Sequence, residues 1–120
     1  MKKTKGQVEA EISNALIQFE KDYMGRGPME TRAYIIDDMI LVRLKGGLTP
    51  AEQQLAKNPD GTPLIKRVRS SLLEQARELL TEVIEKVTGL KVISLHTDIS
   101  TKTGERVIIF TLNENLGKRY

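Results

Sequence analysis

Ser94, His96 and Asp98 recur at every second residue in a β-rich run, so on a strand their side chains point to one face. A serine, a histidine and a carboxylate are the parts of a nucleophilic triad. Spaced by two along a single strand, however, neighbours lie too far apart for the nucleophile–base hydrogen bond such a triad demands. His96 is the only histidine and cysteine is absent. One imidazole beside Asp98 falls short of the three or four ligands a zinc site needs. No phosphate-binding G-x-x-x-x-G-K-[ST] loop occurs, and Gly25-Arg26-Gly27 lacks the preceding strand and following helix of a dinucleotide fingerprint. The expectation is therefore no catalytic residue, no metal and no cofactor.

Anion binding is the chemistry the sequence offers next. Lys66, Arg67 and Arg69 crowd the first turns of a long helical pattern, while Glu74, Glu78, Glu82 and Glu85 occupy its later turns. This order is opposite to the one the helix dipole favours. A basic first turn adds to the positive helix end and suits a carboxylate, phosphate or bicarbonate; the competing description is a solvated face whose charges pair locally. Arg69 falls at the flank of the apolar stripe and is the one of the three expected to be held in place. The second candidate, Gly25-Arg26-Gly27-Pro28, follows the last periodic residue of a first helix. It leaves a C-terminal helix end with free carbonyls, and Pro28 has no N–H, so the segment reads as a structural loop in which Gly25 caps the helix and Pro28 aims the next strand.

Length and composition set the frame for these residues. At 120 residues the chain is one domain long, with a core from about residue 6 to residue 116. A hydrophobic content of 39% with 29% charged residues is ordinary globular composition. Apolar runs such as 107–112 are strand-sized, far short of the roughly 20 residues that cross a bilayer. The start of the chain is basic, but acidic residues interrupt the segment where a signal peptide would be apolar. A cytoplasmic location with no membrane anchor is expected. The formal net charge is +3, yet Lys2, Lys3, Lys5, Lys118 and Arg119 stand at the two ends; taking those five from the 19 basic residues leaves 14 against 16 acidic ones. Basic ends on a mildly acidic body argue against a nucleic-acid interface, which gathers cations on one face.

The elements that must position these groups follow from periodicity. Val8, Ile12, Ala15, Leu16, Phe19 and Tyr23 lie along one side of a first helix. Residues 29–45 form a hairpin about Asp37-Asp38, with Ile36 opposite Met39, Tyr34 opposite Leu41 and Arg32 opposite Arg43 on one face. On the other face Ile35 meets Ile40, Ala33 meets Val42 and Thr31 meets Leu44. Thr49-Pro50-Ala51-Glu52 is a capping box opening a short second helix. A third helix runs from Thr62 to Val87, with Leu64, Val68, Leu72, Ala76, Leu79, Leu80, Val83 and Val87 on its buried stripe. A second hairpin pairs residues 91–99 with 105–112, and the run 107–110, apolar on both faces, reads as a central strand. The fold class is α+β, in the order α-β-β-α-α-β-β, with two hairpins forming a four-stranded antiparallel sheet and helices packed on one face.

That arrangement leaves the other face open. Arg32, Tyr34, Met39, Leu41 and Arg43 lie on it, half apolar and half basic, which predicts a homodimer joined through the sheet. Tyr34, Met39 and Leu41 would occupy the interior of the contact and the two arginines its edge, near acids such as Glu30 or Glu105 of a second copy. The alternative is a monomer whose termini cover the face.

From about Gly6 to Leu116, the succession GRGP, DDMILVRLKGGLTPAEQQLA, GTPLIKRVRSSLLEQARELLTEVIEKVTG and TDIS followed by GERVIIFTLNENL resembles the MpsC-like family, the MpsC component of a Na+-translocating membrane-potential-generating system. Met24 precedes the G-R-G-P element, where the family often has threonine. The resemblance implies an accessory or regulatory protein associated with a membrane transport system for cation-linked uptake of dissolved inorganic carbon, with no established catalytic residues. A small-anion or nucleotide sensor using Lys66, Arg67 and Arg69 is the alternative function, and a nucleic-acid module using the basic ends a weaker one.

Overall fold

The computed structural model describes residues 3–25, 27–46 and 48–120. Helix α1 (Lys5–Met24) is followed by strands β1 (Glu30–Ile36) and β2 (Met39–Lys45), helices α2 (Pro50–Ala56), α3 (Gly61–Gln75) and α4 (Arg77–Thr88), strands β3 (Val92–Ile99) and β4 (Arg106–Leu112), and a 3-10 turn over Leu116–Arg119. The four antiparallel strands stand in the order β1-β2-β4-β3, so each hairpin contributes one inner strand and the two halves meet where β2 pairs with β4. The first hairpin has the register that a two-residue Asp37-Asp38 turn dictates, from Ile36 opposite Met39 to Thr31 opposite Leu44. Asp37 takes the positive φ of 54° that closes it.

Local chemistry sets the helix ends. Thr4 and Gln7 form a capping box at α1, and Thr49 and Glu52 form another at α2. Gly25 ends α1 in the left-handed region, at φ 78°, where a side chain is disfavoured. Gly61, the first residue of α3, lies so close to α2 that a Cβ there would stand 1.9 Å from the carbonyl oxygen of Leu55.

One side of the sheet carries the core. Ala33, Ile35, Ile40, Val42, Leu44, Ile108, Phe110 and Leu112 are buried against Val8, Ile12, Leu16 and Phe19 of α1 and Leu73, Ala76, Leu80 and Ile84 of the later helices.

Three differences from the sequence reading concern this layer. The long third helix is assigned as two at Ala76, although its hydrogen-bond ladder continues: the Ala76 amide donates to the Leu72 carbonyl and the Leu80 amide to the Ala76 carbonyl. Its buried row is Ile65, Arg69, Leu73, Ala76, Leu80 and Ile84, whereas Leu64 (47% exposed), Val68 (47%) and Leu79 (41%) lie outside. The apolar surface of this helix is wider than the sheet can cover, and pairing of Arg69 with Glu52 of α2 orients the helix toward the Arg69 row. In α1 the inward position following Leu16 and Phe19 belongs to Glu20, and Tyr23 stacks on Phe19 from outside, with ring centroids 5.0 Å apart.

The C-terminus is packed rather than trailing. Leu116 is fully buried, the Gly117 amide donates to the Asp37 carbonyl, and Arg119 donates to the Thr88 carbonyl at the end of α4. Arg119 thus satisfies an otherwise open helix carbonyl, as a cation there is suited to do.

Candidate functional site

Strand alternation sends every second side chain to the face opposite the helices. Three cross-strand rows result: Ile36, Met39, Thr111 and Ser94; Tyr34, Leu41, Ile109 and His96; and Arg32, Arg43, Val107 and Asp98. Tyr34, Met39, Leu41, Val107 and Ile109 are only half-buried, and Ile36 is 42% exposed. The structure therefore brings all five sequence-identified face residues together and adds Val107 and Ile109 to them. Lys3 pairs with Glu11 of α1, Leu116 packs in the core and Arg119 bonds the end of α4, so the described residues of both termini are held on the helix side.

The edges of the sheet are partly occupied by helix side chains. Glu9 of α1 accepts a hydrogen bond from the Ile35 amide on the outer edge of β1, at 2.8 Å. Along β3, Glu85 accepts from the Val92 amide at 3.0 Å and Arg77 donates to the Leu95 carbonyl at 3.3 Å. Helix side chains thus occupy backbone groups that would otherwise template another strand.

The basic end of the face forms a shallow cleft of about 180 Å³ lined by Glu30, Arg32, Tyr34, Arg43 and Lys45. Its charges are paired within the chain: Arg32 Nε lies 3.1 Å from Glu30, Lys45 Nζ 3.9 Å from Glu30, and Arg43 Nη2 2.9 Å from Glu105. The hydrogen bond to Glu105 raises the pKa of the Arg43 guanidinium above its ordinary value. Glu30 and Glu105, expected as acids of a second copy, are thus already engaged in the same molecule.

On the same face His96 Nε2 lies 3.1 Å from Ser94 Oγ, so the expectation that strand neighbours are too far apart for this contact does not hold. Side chains in a strand lean along its direction, which shortens the gap. The Ser94 hydroxyl is also hydrogen-bonded to that of Thr111. Asp98 does not orient the imidazole: its carboxylate accepts from the Ile99 amide at 2.8 Å and lies 3.7 Å from Lys66 Nζ.

The three cations at the start of α3 do not converge. Lys66 faces Asp98, Arg67 is exposed, and Arg69 is buried and held by Glu52, with Nε and Nη2 at 2.7 and 2.6 Å from the two carboxylate oxygens. Glu52 accepts from the Thr49 amide as well. Burial raises the Glu52 pKa, but the hydrogen bonds from Arg69 and Thr49 outweigh it and hold the carboxyl below its ordinary range. In the first glycine loop, Gly25 acts as a helix cap and Gly27 and Pro28 lead toward β1; Arg26 lies outside the described residues. Among the described residues no group of histidines and carboxylates is placed to hold a metal.

Sequence reasoning missed one charged element entirely. Arg106 opens β4 and pairs with Glu20 of α1, both nearly inaccessible to solvent. Strand parity carries the signal, since Arg106 shares the face of Ile108, Phe110 and Leu112.

With the geometry in place, comparison with known proteins assigns the lineage. A family model described as Na+-translocating membrane potential-generating system (MpsC) matches residues 4–114. The chain belongs to the MpsC family. The chain is similar to YbcI of Bacillus subtilis (strain 168), an uncharacterized protein 50% identical over 118 residues, which covers 98% of this chain and 95% of YbcI. YrhF of the same organism, also uncharacterized, is 24% identical over 110 residues, 91% of this chain and 90% of YrhF. No solved structure matches the chain. No helix among the described residues is long and apolar enough to cross a membrane.

Proposed function

We propose that this MpsC-family chain is a non-catalytic accessory or regulatory component of a Na+-translocating, membrane-potential-generating system, acting in the cytoplasm through protein–protein contacts made by the open face of its sheet. Its membrane-bound partners conduct the ion, and the linked process is uptake of dissolved inorganic carbon such as bicarbonate. The first contact of the open face is with a second copy, giving a homodimer with Tyr34, Met39 and Leu41 inside and Arg32 and Arg43 at the rim.

The observation that carries this reading is the contiguous row Tyr34, Leu41 and Ile109, flanked by Met39 and Val107, with the helices and the described residues of both termini on the other side of the sheet. Apolar residues left together on an open sheet face mark a contact surface. Two further features support it. Glu9, Glu85 and Arg77 occupy single backbone groups on the two sheet edges, which hinders strand addition there and favours association through the face. The cations at the start of α3 are partly committed to Glu52 and Asp98, which favours contact over anion sensing.

The test is complementation of a strain lacking the gene. Wild-type chain should restore the Na+-dependent membrane potential read by a potential-sensitive dye. Leu41→Glu, expressed at equal level and folded, should not. Full restoration by Leu41→Glu would remove the open face from the function.

A further inference from the structure

The outer flank of the α3–α4 rod carries a second uncovered apolar stripe. Leu64, Val68, Leu72, Leu79 and Val83 follow one another at steps of four or seven and so share one side of a helix whose hydrogen bonds run on through Ala76. Leu64, Val68 and Leu79 are 47%, 47% and 41% exposed, and Leu72 and Val83 are half-buried. Beside the stripe, Lys86 stands in the last turn of the rod, and before it Arg67 lies in the first half and Glu78 and Glu82 in the second. Arg67, Glu78 and Glu82 are exposed, and none is in an ion pair among the described residues, whereas Lys66, Arg69, Glu74, Arg77 and Glu85 each have one.

We propose that this stripe pairs antiparallel with the same stripe of a second copy, independently of the sheet face. A two-fold axis near Glu74 sets Val68 against the partner's Leu79 and Leu64 against the partner's Val83. The same axis brings Arg67 to within about 3 Å, two residues along the helix, of the level of the partner's Glu82, twice by symmetry. A parallel pairing would instead put like charges at the same level, Arg67 with Arg67 and Glu82 with Glu82, and would align the two helix dipoles unfavourably. Antiparallel pairing also gives a use to the inverted charge order of this helix, which works against its own dipole. A membrane surface fits less well, because Glu78 and Glu82 border the apolar residues and would be pressed toward anionic headgroups. With two isologous faces on one chain, the closed assembly is a dimer of dimers.

Sedimentation of the full-length Leu41→Glu chain isolates the stripe from the sheet face. The expected result is a dimer that Val68→Glu converts to a monomer with unchanged circular dichroism. Arg67→Glu in the same background should weaken association roughly tenfold, and adding Glu82→Arg should restore it. A monomeric Leu41→Glu chain, a dimer indifferent to Val68→Glu, or a double charge reversal no better than the single one would each overturn the proposal. Flotation of the wild-type chain with anionic phospholipid vesicles, abolished by Val68→Glu, would assign the stripe to a membrane and overturn it as well. A wild-type mass unaffected by Leu41→Glu but lowered by Val68→Glu would sink the sheet-face reading and leave this one standing.

Discussion

The two faces of one sheet have opposite fates. The inner face buries a continuous apolar layer and tolerates charge only as tight pairs, Glu20 with Arg106 inside it and Glu52 with Arg69 at its margin. The outer face keeps Tyr34, Leu41 and Ile109 together in the open and pairs its charges only at the rim. Strand alternation alone would make the outer face polar, as an antiparallel sheet with one wet side usually is. That half of it is apolar separates residues serving the fold from residues available to a partner. Substitutions on the inner face should therefore cost stability, and substitutions on the outer face should change association while leaving the fold intact.

The largest effect is expected at the buried pair. Arg106→Ala leaves the Glu20 carboxylate buried without a partner and should lower unfolding free energy by about 3–5 kcal/mol in urea titration. Replacing both residues by leucine should cost less than that single change; a double variant as unstable as Arg106→Ala would mean that packing, not charge, dominates there. Next comes the marginal pair: Glu52→Gln should cost about 2 kcal/mol near neutral pH, since it weakens a charge-assisted hydrogen bond and a helix cap together. The folded-state pKa of Glu52 lies below its unfolded value. Its contribution is thus present above the ordinary carboxylate range and lost as pH falls through the folded pKa, so the wild-type advantage over Glu52→Gln should vanish in acid. An advantage that persisted there would contradict the pairing.

How much of this contrast is legible in the sequence depends on the period being read. The first hairpin can be registered residue by residue, because a two-residue turn and a strict period of two leave one solution. The capping box at Thr49 and the central place of β4 follow in the same way from local chemistry and from a run apolar on both faces. The α3–α4 rod resists such reading: it has apolar residues over so wide an arc that its own pattern does not say which row the sheet will take. Burial of Ile65 and Leu73 in place of Leu64 and Val68 is decided by tertiary contacts, among them Arg69 to Glu52. Arg106 escapes notice for a related reason, since a charge beside a turn looks solvated until the parity of Ile108 and Phe110 is followed back to it.

Smaller effects sharpen the comparison. Gly25→Val should destabilise by about 1 kcal/mol, purely through backbone strain at φ 78°, because nothing lies within 4 Å of the added Cβ. Thermal or urea unfolding reads this change; an unaltered midpoint would show that the cap tolerates a branched side chain. On the outer face Arg32→Ala should alter stability by less than about 0.5 kcal/mol, given an exposed ion pair with Glu30.

The central claim, that the outer face of the sheet is a contact surface between copies, is tested most directly by the molar mass of the full-length chain in light scattering, wild type beside Leu41→Glu. The account predicts that the substitution halves the mass while circular dichroism and the unfolding midpoint at high dilution stay as they were. A mass identical in the two proteins would contradict it.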